Sequence, residues 1–297
     1  SATDAIAAPP EASGVLKYIT IRSGSDALMV VLTVHGPARE TPAYLEFRTA
    51  LSAALAAAAN LADVRVVETA TEAIEAEVSN PPGGQVVLGA DSFPASLGGL
   101  EFDVPYDAFF QPNPVAFDGL LNATRPWLEA ELNGGASAGA EDSVSSEVLI
   151  DLYSGAGVLS AIIASWFPGV FGRIRGYEST ASAVERAPAN FAAAGITGPE
   201  IDFHTVDLLQ PPEDFLNAAA RLIVLAPPRA GLSPAVRAAL LQHRPAPVLL
   251  YISCNPSSQL RDLEELAPAY TVERGVLADC FPHTPHLEQA VLLRRRD

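Results

Sequence analysis

The sequence predicts an α/β protein in which a Rossmann-like domain with a mostly parallel sheet follows a small α+β domain. From residue 147 onward, strand and helix patterns alternate, and the strands are continuous apolar runs. Both features are typical of a parallel sheet covered by helices. Before residue 100 the pattern is a hairpin, one helix and short strands. We therefore predict a flexible lead-in at 1–14, an accessory domain at 15–100 and the larger domain at 101–297.

The accessory domain begins with two β-rich runs within residues 15–34, joined by the Ser-Gly-Ser-Asp turn at 23–26, which predicts a hairpin. Residues 42–62 are rich in Ala and Leu and predict a helix opened by Pro42. Short strands are expected at Val64–Val67 and Gln85–Leu88. No residue in this domain suggests chemistry.

The larger domain is predicted to begin with a helix at Asp118–Leu132 and a Gly/Ala/Ser-rich loop at 134–146. Strands are then expected at 147–152, 173–177, 201–206, 221–225, 247–253 and 290–293, and helices at 158–166, 181–194 and 234–242. Ligands of such sheets bind at the carboxyl ends of the strands. The motifs described below lie at those ends.

Composition narrows the class of protein. Of the 297 residues, 49% are apolar and 18% charged, so the chain can bury a core, and no apolar run is long enough to cross a membrane. Two cysteines cannot form a disulfide framework or a four-cysteine zinc or iron–sulfur site. We expect a cytoplasmic protein, or one of an organellar matrix if Ser1 is a processed end. The net charge of −17, with Lys17 as the only lysine, repels phosphate, whereas nucleic-acid-binding proteins usually carry a basic surface.

A glycine turn, Asp151–Gly157, follows a strand and opens a helix, as in proteins that bind a nucleoside cofactor. Glu178 ends the next predicted strand, where a ribose-binding carboxylate is expected, and Asp207 ends the third, near an adenine. The Asp-x-x-x-Gly-x-Gly form, with Gly155 and Gly157, favours S-adenosylmethionine over a dinucleotide. The alternatives are a glycine turn that serves helix packing and acids that are ordinary loop residues.

Two further segments could carry chemistry. Cys254 follows an apolar strand in a turn with Asn255 and Pro256, which is a suitable place for a nucleophile; the alternative is a small buried hydrophobic residue. The loop Phe281–Glu288 holds two histidines and a glutamate. Pro285 excludes a helical pair of metal ligands there, so no metal is expected. Cys280 is interpreted as structural.

Five sequence motifs, taken with their order along the chain, resemble those of the RNA 5-methyluridine (uracil-C5) methyltransferases. They are Phe109–Asn113, Asp151–Gly157, Ala226–Gly231, Ser253–Pro256 with Arg261–Leu263, and Phe281–Glu288. They extend over roughly residues 100–297, and segment 15–34 is similar to the family's accessory domain. The resemblance implies S-adenosylmethionine as cofactor, with no metal and no iron–sulfur cluster.

The resemblance also implies roles for individual residues. Cys254 would add to C6 of a uracil as nucleophile, and Glu288 would remove the C5 proton, which is covalent catalysis. Gln111 would bridge cofactor and uracil, while Tyr153 and Glu178 hold the cofactor. Arg229 and Arg261 would contact RNA or form structural ion pairs. Because the base must be unstacked, the expected substrate is a uridine in an rRNA or tRNA loop.

Three departures from the family pattern keep other functions open. Ala226 replaces the usual Asp of the Asp-Pro-Pro-Arg motif, which removes a hydrogen-bond acceptor. Ser154 replaces a common Cys, and we expect no oligonucleotide-binding barrel before the accessory domain. The alternative is a catalytically silent homologue that acts as a structural or assembly factor in a larger RNA–protein particle. A methyltransferase for small molecules or proteins would leave the Cys254–Glu288 pair without a role.

Overall fold

The computed structural model describes residues 16–24, 27–36, 39–57, 63–71, 80–132, 145–217 and 219–296. They form two compact units: the first takes the described residues up to Ala95 and Asp103–Pro112, and the second takes Ser96–Phe102 and those from Asn113 onward. The predicted lead-in and most of the 134–146 loop lie outside the described residues. Within the described part, no helix is both long and apolar enough to span a membrane.

The first unit contains a four-stranded sheet and one helix. The strands are β1 (Leu16–Ser23), β2 (Ala27–His35), β3 (Asp63–Thr71) and β4 (Gln85–Leu88), in that order, and the helix is α1 (Pro42–Ala56). β1 and β2 form the predicted antiparallel hairpin, whereas β2 and β3, which flank α1 in the chain, pair in parallel. The helix is shorter than predicted and β3 is longer, because propensity alone defines element ends poorly.

Glu68, on β3, is fully buried within this unit. Tyr44 and Arg48 of the α1 helix donate hydrogen bonds to it at 2.9 and 2.8 Å, and Arg39 also pairs with it. Burial raises the pKa of Glu68, but the three donors outweigh burial and hold it below its usual range. A buried carboxylate without such partners would cost several kcal/mol, so this cluster fixes α1 on the sheet.

A short hairpin of β5 (Ser92–Leu97) and β6 (Leu100–Pro105) was not predicted, and its residues are divided between the two units. Gly98 and Gly99 both have positive φ in its turn. A Gly-Gly pair between β-forming residues is a known hairpin signal, so this hairpin could have been predicted from the sequence.

The second unit is a seven-stranded sheet with helices. Its elements are α2 (Pro114–Leu132), β7 (Val148–Leu152), α3 (Val158–Trp166), β8 (Arg173–Glu178), α4 (Ala181–Ala193), β9 (Glu200–Thr205), β10 (Leu222–Leu225), α5 (Pro234–His243), β11 (Val248–Ser253), α6 (Pro256–Leu266), β12 (Tyr270–Ala278) and β13 (Glu288–Arg295). The strand order is β12-β13-β11-β10-β7-β8-β9. The five strands from β11 to β9 are parallel, and β13 runs antiparallel to both β11 and β12.

This topology confirms the predicted α/β class and positions the ligand edge. From β7 the chain proceeds through β8 and β9 to one side, and it then returns to β10 and β11 on the other side. The order therefore reverses between β7 and β10, which is where ligands of open α/β sheets bind. Ile150 and Leu152 pack with Ile223, Leu225 and Leu249 in one core cluster, so these strand ends rest on a rigid base.

Some elements of this unit were not predicted, and others begin or end at residues that differ from the prediction. Helix α6 and strand β12 were not predicted, and α2 begins at Pro114 instead of Asp118. Glu288 is the first residue of β13 and not part of the preceding loop. Asp207 does not end the third strand, because β9 ends at Thr205 and Asp207 lies two residues beyond it.

Candidate active site

The residues singled out in the second unit follow one edge of the sheet. Cys254 comes directly after β11, Ala226 directly after β10, and the glycine turn directly after β7, while Glu178 is the last residue of β8. Because β13 is antiparallel to β11, its first residues lie at the same edge, where Gln289 pairs with Ser253. Neighbouring strands are about 4.8 Å apart. The thiol segment and the glycine turn are thus separated by the end of β10 alone.

The Cys254 thiol is half-buried and free, and two charged side chains act on it. Burial raises its pKa, and the negative charge of Glu288 raises it further. Arg229, from the loop after β10, lowers the pKa through its charge and a hydrogen bond. The structure therefore brings together the predicted nucleophile, the predicted base and one of the two predicted arginines.

Glu288 is almost completely buried at the start of β13, with 3% of its surface exposed. Burial raises the pKa of this carboxyl to about 7. A group that titrates near neutral pH can both accept and release a proton under physiological conditions. Its location beside a thiol makes it a suitable acid–base group.

The glycine turn has a left-handed backbone at three positions, with φ of 64° at Tyr153, 53° at Gly155 and 79° at Gly157. A Cβ atom at Gly155 would meet no atom within 4 Å, whereas one at Gly157 would lie 2.8 Å from the Phe191 ring of α4. Gly157 is thus required for packing between α3 and α4, as the packing alternative expected. Gly155 faces open space, where a ligand could approach the backbone.

The two acids assigned to the cofactor are bound to nearby backbone groups. Glu178 accepts hydrogen bonds from the Gly155 amide at 3.0 Å and from the Thr180 amide at 2.8 Å. Asp207 is exposed and accepts from the Leu209 amide at 2.9 Å. A carboxylate can accept about four hydrogen bonds, so both retain capacity for a ligand, and their assignment stays a prediction.

Asp151 is a site residue to which sequence reasoning gave no role. Its side chain, on β7 just before the glycine turn, is fully buried, and neither carboxyl oxygen has a hydrogen-bond partner of good geometry in the described part of the chain. Burial raises its pKa to about 7; Ser160 of α3 lowers it somewhat, and Glu178 raises it. An acidic residue inside an apolar strand was the available signal.

The remaining predicted residues are placed as follows. Arg261 donates to the Ala230 carbonyl at 2.7 Å and pairs with the buried Asp262 at 3.0 Å. Gln111 belongs to the first unit, and its expected role stays a prediction. No group of three or more His, Cys, Asp or Glu residues among those described could hold a metal ion, and His283 is exposed in the loop before β13.

Comparison with known proteins relates this geometry to a family. The family model "tRNA (Uracil-5-)-methyltransferase" matches residues 214–296. This segment extends from the loop before β10 to the end of β13 and includes Cys254, Arg229 and Glu288. The half of the sheet that carries the thiol and the buried carboxyl is thus the part that the family model recognises.

Two curated relatives match most of the chain. An uncharacterized RNA methyltransferase of Leptospira interrogans is 30% identical over 295 residues, covering 96% of this chain and 59% of the relative. One of Nitratidesulfovibrio vulgaris is 35% identical over 219 residues, covering 72% of this chain and 42% of that protein. The chain therefore spans 59% and 42% of the lengths of these two curated relatives.

Solved structures confirm the fold. The Pyrococcus abyssi tRNA (uracil-54, C5)-methyltransferase, in complex with S-adenosyl-L-homocysteine, superposes with a TM-score of 0.64 at 22% identity, covering 95% of this chain and 60% of that one. A putative SAM-dependent methyltransferase from Streptococcus mutans gives a TM-score of 0.55 at 11% identity, covering 93% of this chain and 71% of that one. At these identities the likeness shows the architecture alone.

Proposed function

We propose that this chain, which belongs to the tRNA (uracil-5-)-methyltransferase family, transfers a methyl group from S-adenosylmethionine to C5 of a uridine in rRNA or tRNA. The observation that carries the proposal is that Glu288 and Arg229 both act electrostatically on the Cys254 thiol at the carboxyl edge of the sheet. A thiol beside a buried carboxyl that titrates near neutral pH supplies both a nucleophile and a base. Methylation at an unactivated ring carbon requires both.

The glycine turn supports the cofactor assignment. The open space at Gly155 allows a ligand to approach the backbone, and Glu178 holds the turn from β8. Among the described residues, neither carboxyl oxygen of Asp151 has a hydrogen-bond partner of good geometry at the base of the same turn, which suits a cationic ligand. The Pyrococcus abyssi relative, solved with S-adenosyl-L-homocysteine, supports the same cofactor here. When bound, S-adenosylmethionine supplies an electrophilic methyl group.

The roles of the protein residues follow from the chemistry of uracil. C5 is a poor nucleophile until a thiolate adds to C6, because the addition moves the electron pair of the C5–C6 bond towards C5 and O4. Cys254 makes this addition. After C5 has gained its methyl group, Glu288 takes the C5 proton, and the returning electron pair expels the Cys254 thiolate. The enzyme is thus regenerated with one proton on Glu288.

The proposal of an RNA substrate rests on the relatives, which are named as RNA methyltransferases. A base inside a duplex cannot reach a thiol at a sheet edge, so the target uridine must be unpaired or flipped. A loop in tRNA or rRNA meets that requirement.

The test uses methyl-labelled S-adenosylmethionine and RNA carrying 5-fluorouridine. Fluorine at C5 cannot leave as a cation, so a reacting enzyme stays covalently attached to the RNA. We expect wild type to form this complex, Cys254→Ala to form none, and Cys280→Ala, which removes the other thiol, to form it normally. Failure of wild type to label or trap any tRNA or rRNA transcript refutes the proposal.

Ala226 favours one alternative function. It lies at the end of β10, between the thiol segment and the glycine turn, with its amide bonded to the Leu152 carbonyl at 3.3 Å. Its methyl side chain supplies no hydrogen-bond acceptor at this central position. If Ala226→Asp binds S-adenosylmethionine and traps RNA while wild type does neither, the chain is a silent homologue with a structural or assembly role.

A further inference from the structure

The Cys254 thiol requires a positive charge nearby to act as a nucleophile. Both its burial and the neighbouring Glu288 disfavour the thiolate, which is the reactive form. The charged groups that act on the thiol are Glu288, from β13, and Arg229, from the loop after β10. On α6, the nearest following helix, Arg261 and Asp262 pair with each other.

Arg229 is exposed, yet its backbone is held firmly against the thiol segment. The Asn255 side-chain amide donates to the Arg229 carbonyl at 2.9 Å, while its side-chain oxygen accepts from the Ser257 amide at 3.1 Å and caps α6. Asn255 is the residue after Cys254, so one side chain ties the thiol segment, the start of α6 and the Arg229 loop together.

Helix α6 clamps the next residues of the same loop. Arg261 donates to the Ala230 carbonyl at 2.7 Å, and Asp262 accepts from the Leu232 amide at 2.7 Å. Gly231, between them, has a φ of 86°, and a Cβ atom there would lie 2.4 Å from the Asp262 carboxylate. Only glycine permits this close approach. Four consecutive residues, 229–232, are therefore fixed to the segment that carries the thiol.

Asp262 joins this clamp to the strand that carries Cys254. It is fully buried and also accepts a hydrogen bond from the Tyr251 hydroxyl of β11 at 2.7 Å and one from Arg237 of α5 at 3.0 Å. A buried carboxylate with four donors is strongly held. The backbone of Arg229 is thus held next to Cys254 by a network of hydrogen bonds that includes a buried carboxylate.

We propose that Arg229 is the cation that stabilises the Cys254 thiolate and that Asn255 is the positioning residue that holds Arg229 in place. Arg229 would then serve neither of the two roles that the sequence left open, which were contact with RNA and a structural ion pair. It rests on the proposed function only in treating Cys254 as the nucleophile.

The test measures the reactivity of Cys254 without RNA or methyl donor. The rate of iodoacetamide alkylation of the Cys254 peptide is followed by mass spectrometry from pH 6 to 10; the thiolate displaces iodide and forms a thioether. We expect Arg229→Gln to lower the rate at pH 7 about tenfold, because removal of the positive charge raises the pKa of the thiol and reduces the thiolate fraction. Arg229→Lys should retain part of the rate.

Asn255→Ser separates positioning from capping. Serine is a good N-cap residue and is uncharged, but it lacks the amide donor that reaches Arg229. We expect its alkylation profile to shift in the same direction as that of Arg229→Gln, by about threefold in rate at pH 7. Arg274→Gln removes the same charge from an exposed position on β12 and should leave the profile unchanged.

An unshifted alkylation profile in Arg229→Gln, together with weaker RNA binding and a smaller salt dependence, would overturn the proposal and assign Arg229 to phosphate contact. A shift in Arg229→Gln but none in Asn255→Ser would refute the positioning role alone. Since alkylation needs no RNA, loss of the proposed methyl transfer would leave this result intact, and the two failures are distinguishable.

Discussion

The buried Asp151 carboxyl provides a direct test of the electrostatics of the sheet edge, through the substitution Asp151→Asn. Burial raises the pKa of Asp151 from an ordinary 3.8 to about 7. A rise of about three pH units, at about 1.4 kcal/mol each, corresponds to about 4 kcal/mol of cost for holding the ionised form in the folded protein. Asparagine has nearly the same shape and cannot ionise.

The sign of the effect follows from linkage. Below pH 4 the carboxyl is protonated in both the folded and the unfolded chain, so wild type incurs no penalty. Between about pH 4 and 7 the unfolded chain loses its proton first, and the stability of wild type falls relative to Asp151→Asn. Above pH 7 the difference should level off at about 4 kcal/mol in favour of the variant. Glu288 is present in both proteins, so its titration cancels in the comparison.

The assay is urea denaturation of both proteins at pH values from 4 to 9. Asp262→Asn is the matched control, because Asp262 is equally buried but accepts hydrogen bonds from Arg237, Tyr251 and the Leu232 amide. That control should lose about 1–3 kcal/mol, because its neutral amide no longer pairs with the charge of Arg237, which keeps Glu265 as its other partner at 2.5 Å. A destabilised Asp151→Asn at pH 8, or a difference that does not change between pH 4 and 7, would refute the reasoning.

Three further predictions concern single groups. The free energy of unfolding of Gly157→Ala, measured by chemical denaturation, should fall by about 2–5 kcal/mol, because a left-handed alanine is strained and its Cβ atom would lie 2.8 Å from Phe191. Gly155→Ala should lose only about 1 kcal/mol of that free energy. It should, however, weaken S-adenosylmethionine binding in calorimetry. In the proposed mechanism the base is the ionised form of Glu288, whose pKa is about 7, so the rate of methyl transfer should rise with pH through 7. Glu288→Gln should be about 10²–10⁴-fold slower and keep only the rise with pH that comes from ionisation of Cys254. Tyr44→Phe should destabilise the first unit by about 1–3 kcal/mol, measured by thermal unfolding, because it removes the 2.9 Å hydrogen bond to buried Glu68.

The central parallel strands β7, β10 and β11 were predictable because nearly all their residues are buried and largely apolar. Strand β12 is different: among its nine residues only Tyr270 is buried, so neither an apolar run nor a clear alternation marks it. Helix α6 did have a sequence signal. Asn255 and Pro256 were interpreted as a turn, but the same pair is a good N-cap followed by a favoured first residue of a helix.

The positions of the site residues were predictable from strand ends, but their environments were not. Cys254 and Glu288 are 34 positions apart in the sequence, and the antiparallel pairing of β13 with β11 brings them to the same edge of the sheet. Nothing local to Asp151 shows that both its oxygens lack donors, since that depends on α3 packing over β7. The pairing of Arg261 with Asp262 likewise depends on how α6 contacts the loop after β10.

The distribution of charge at the sheet edge separates the two proposed ligands. Three carboxyl groups lie at this edge: Asp151 and Glu178, near the carboxyl ends of β7 and β8, and Glu288, at the start of β13. The basic group at the thiol is Arg229. Carboxylates attract a sulfonium cofactor and repel phosphate, so this edge suits S-adenosylmethionine better than an RNA backbone. The uracil ring is uncharged and can enter without that penalty. If Arg229 is assigned to the thiolate, the phosphates of an RNA substrate must be bound away from this edge, and only the flipped base must approach it.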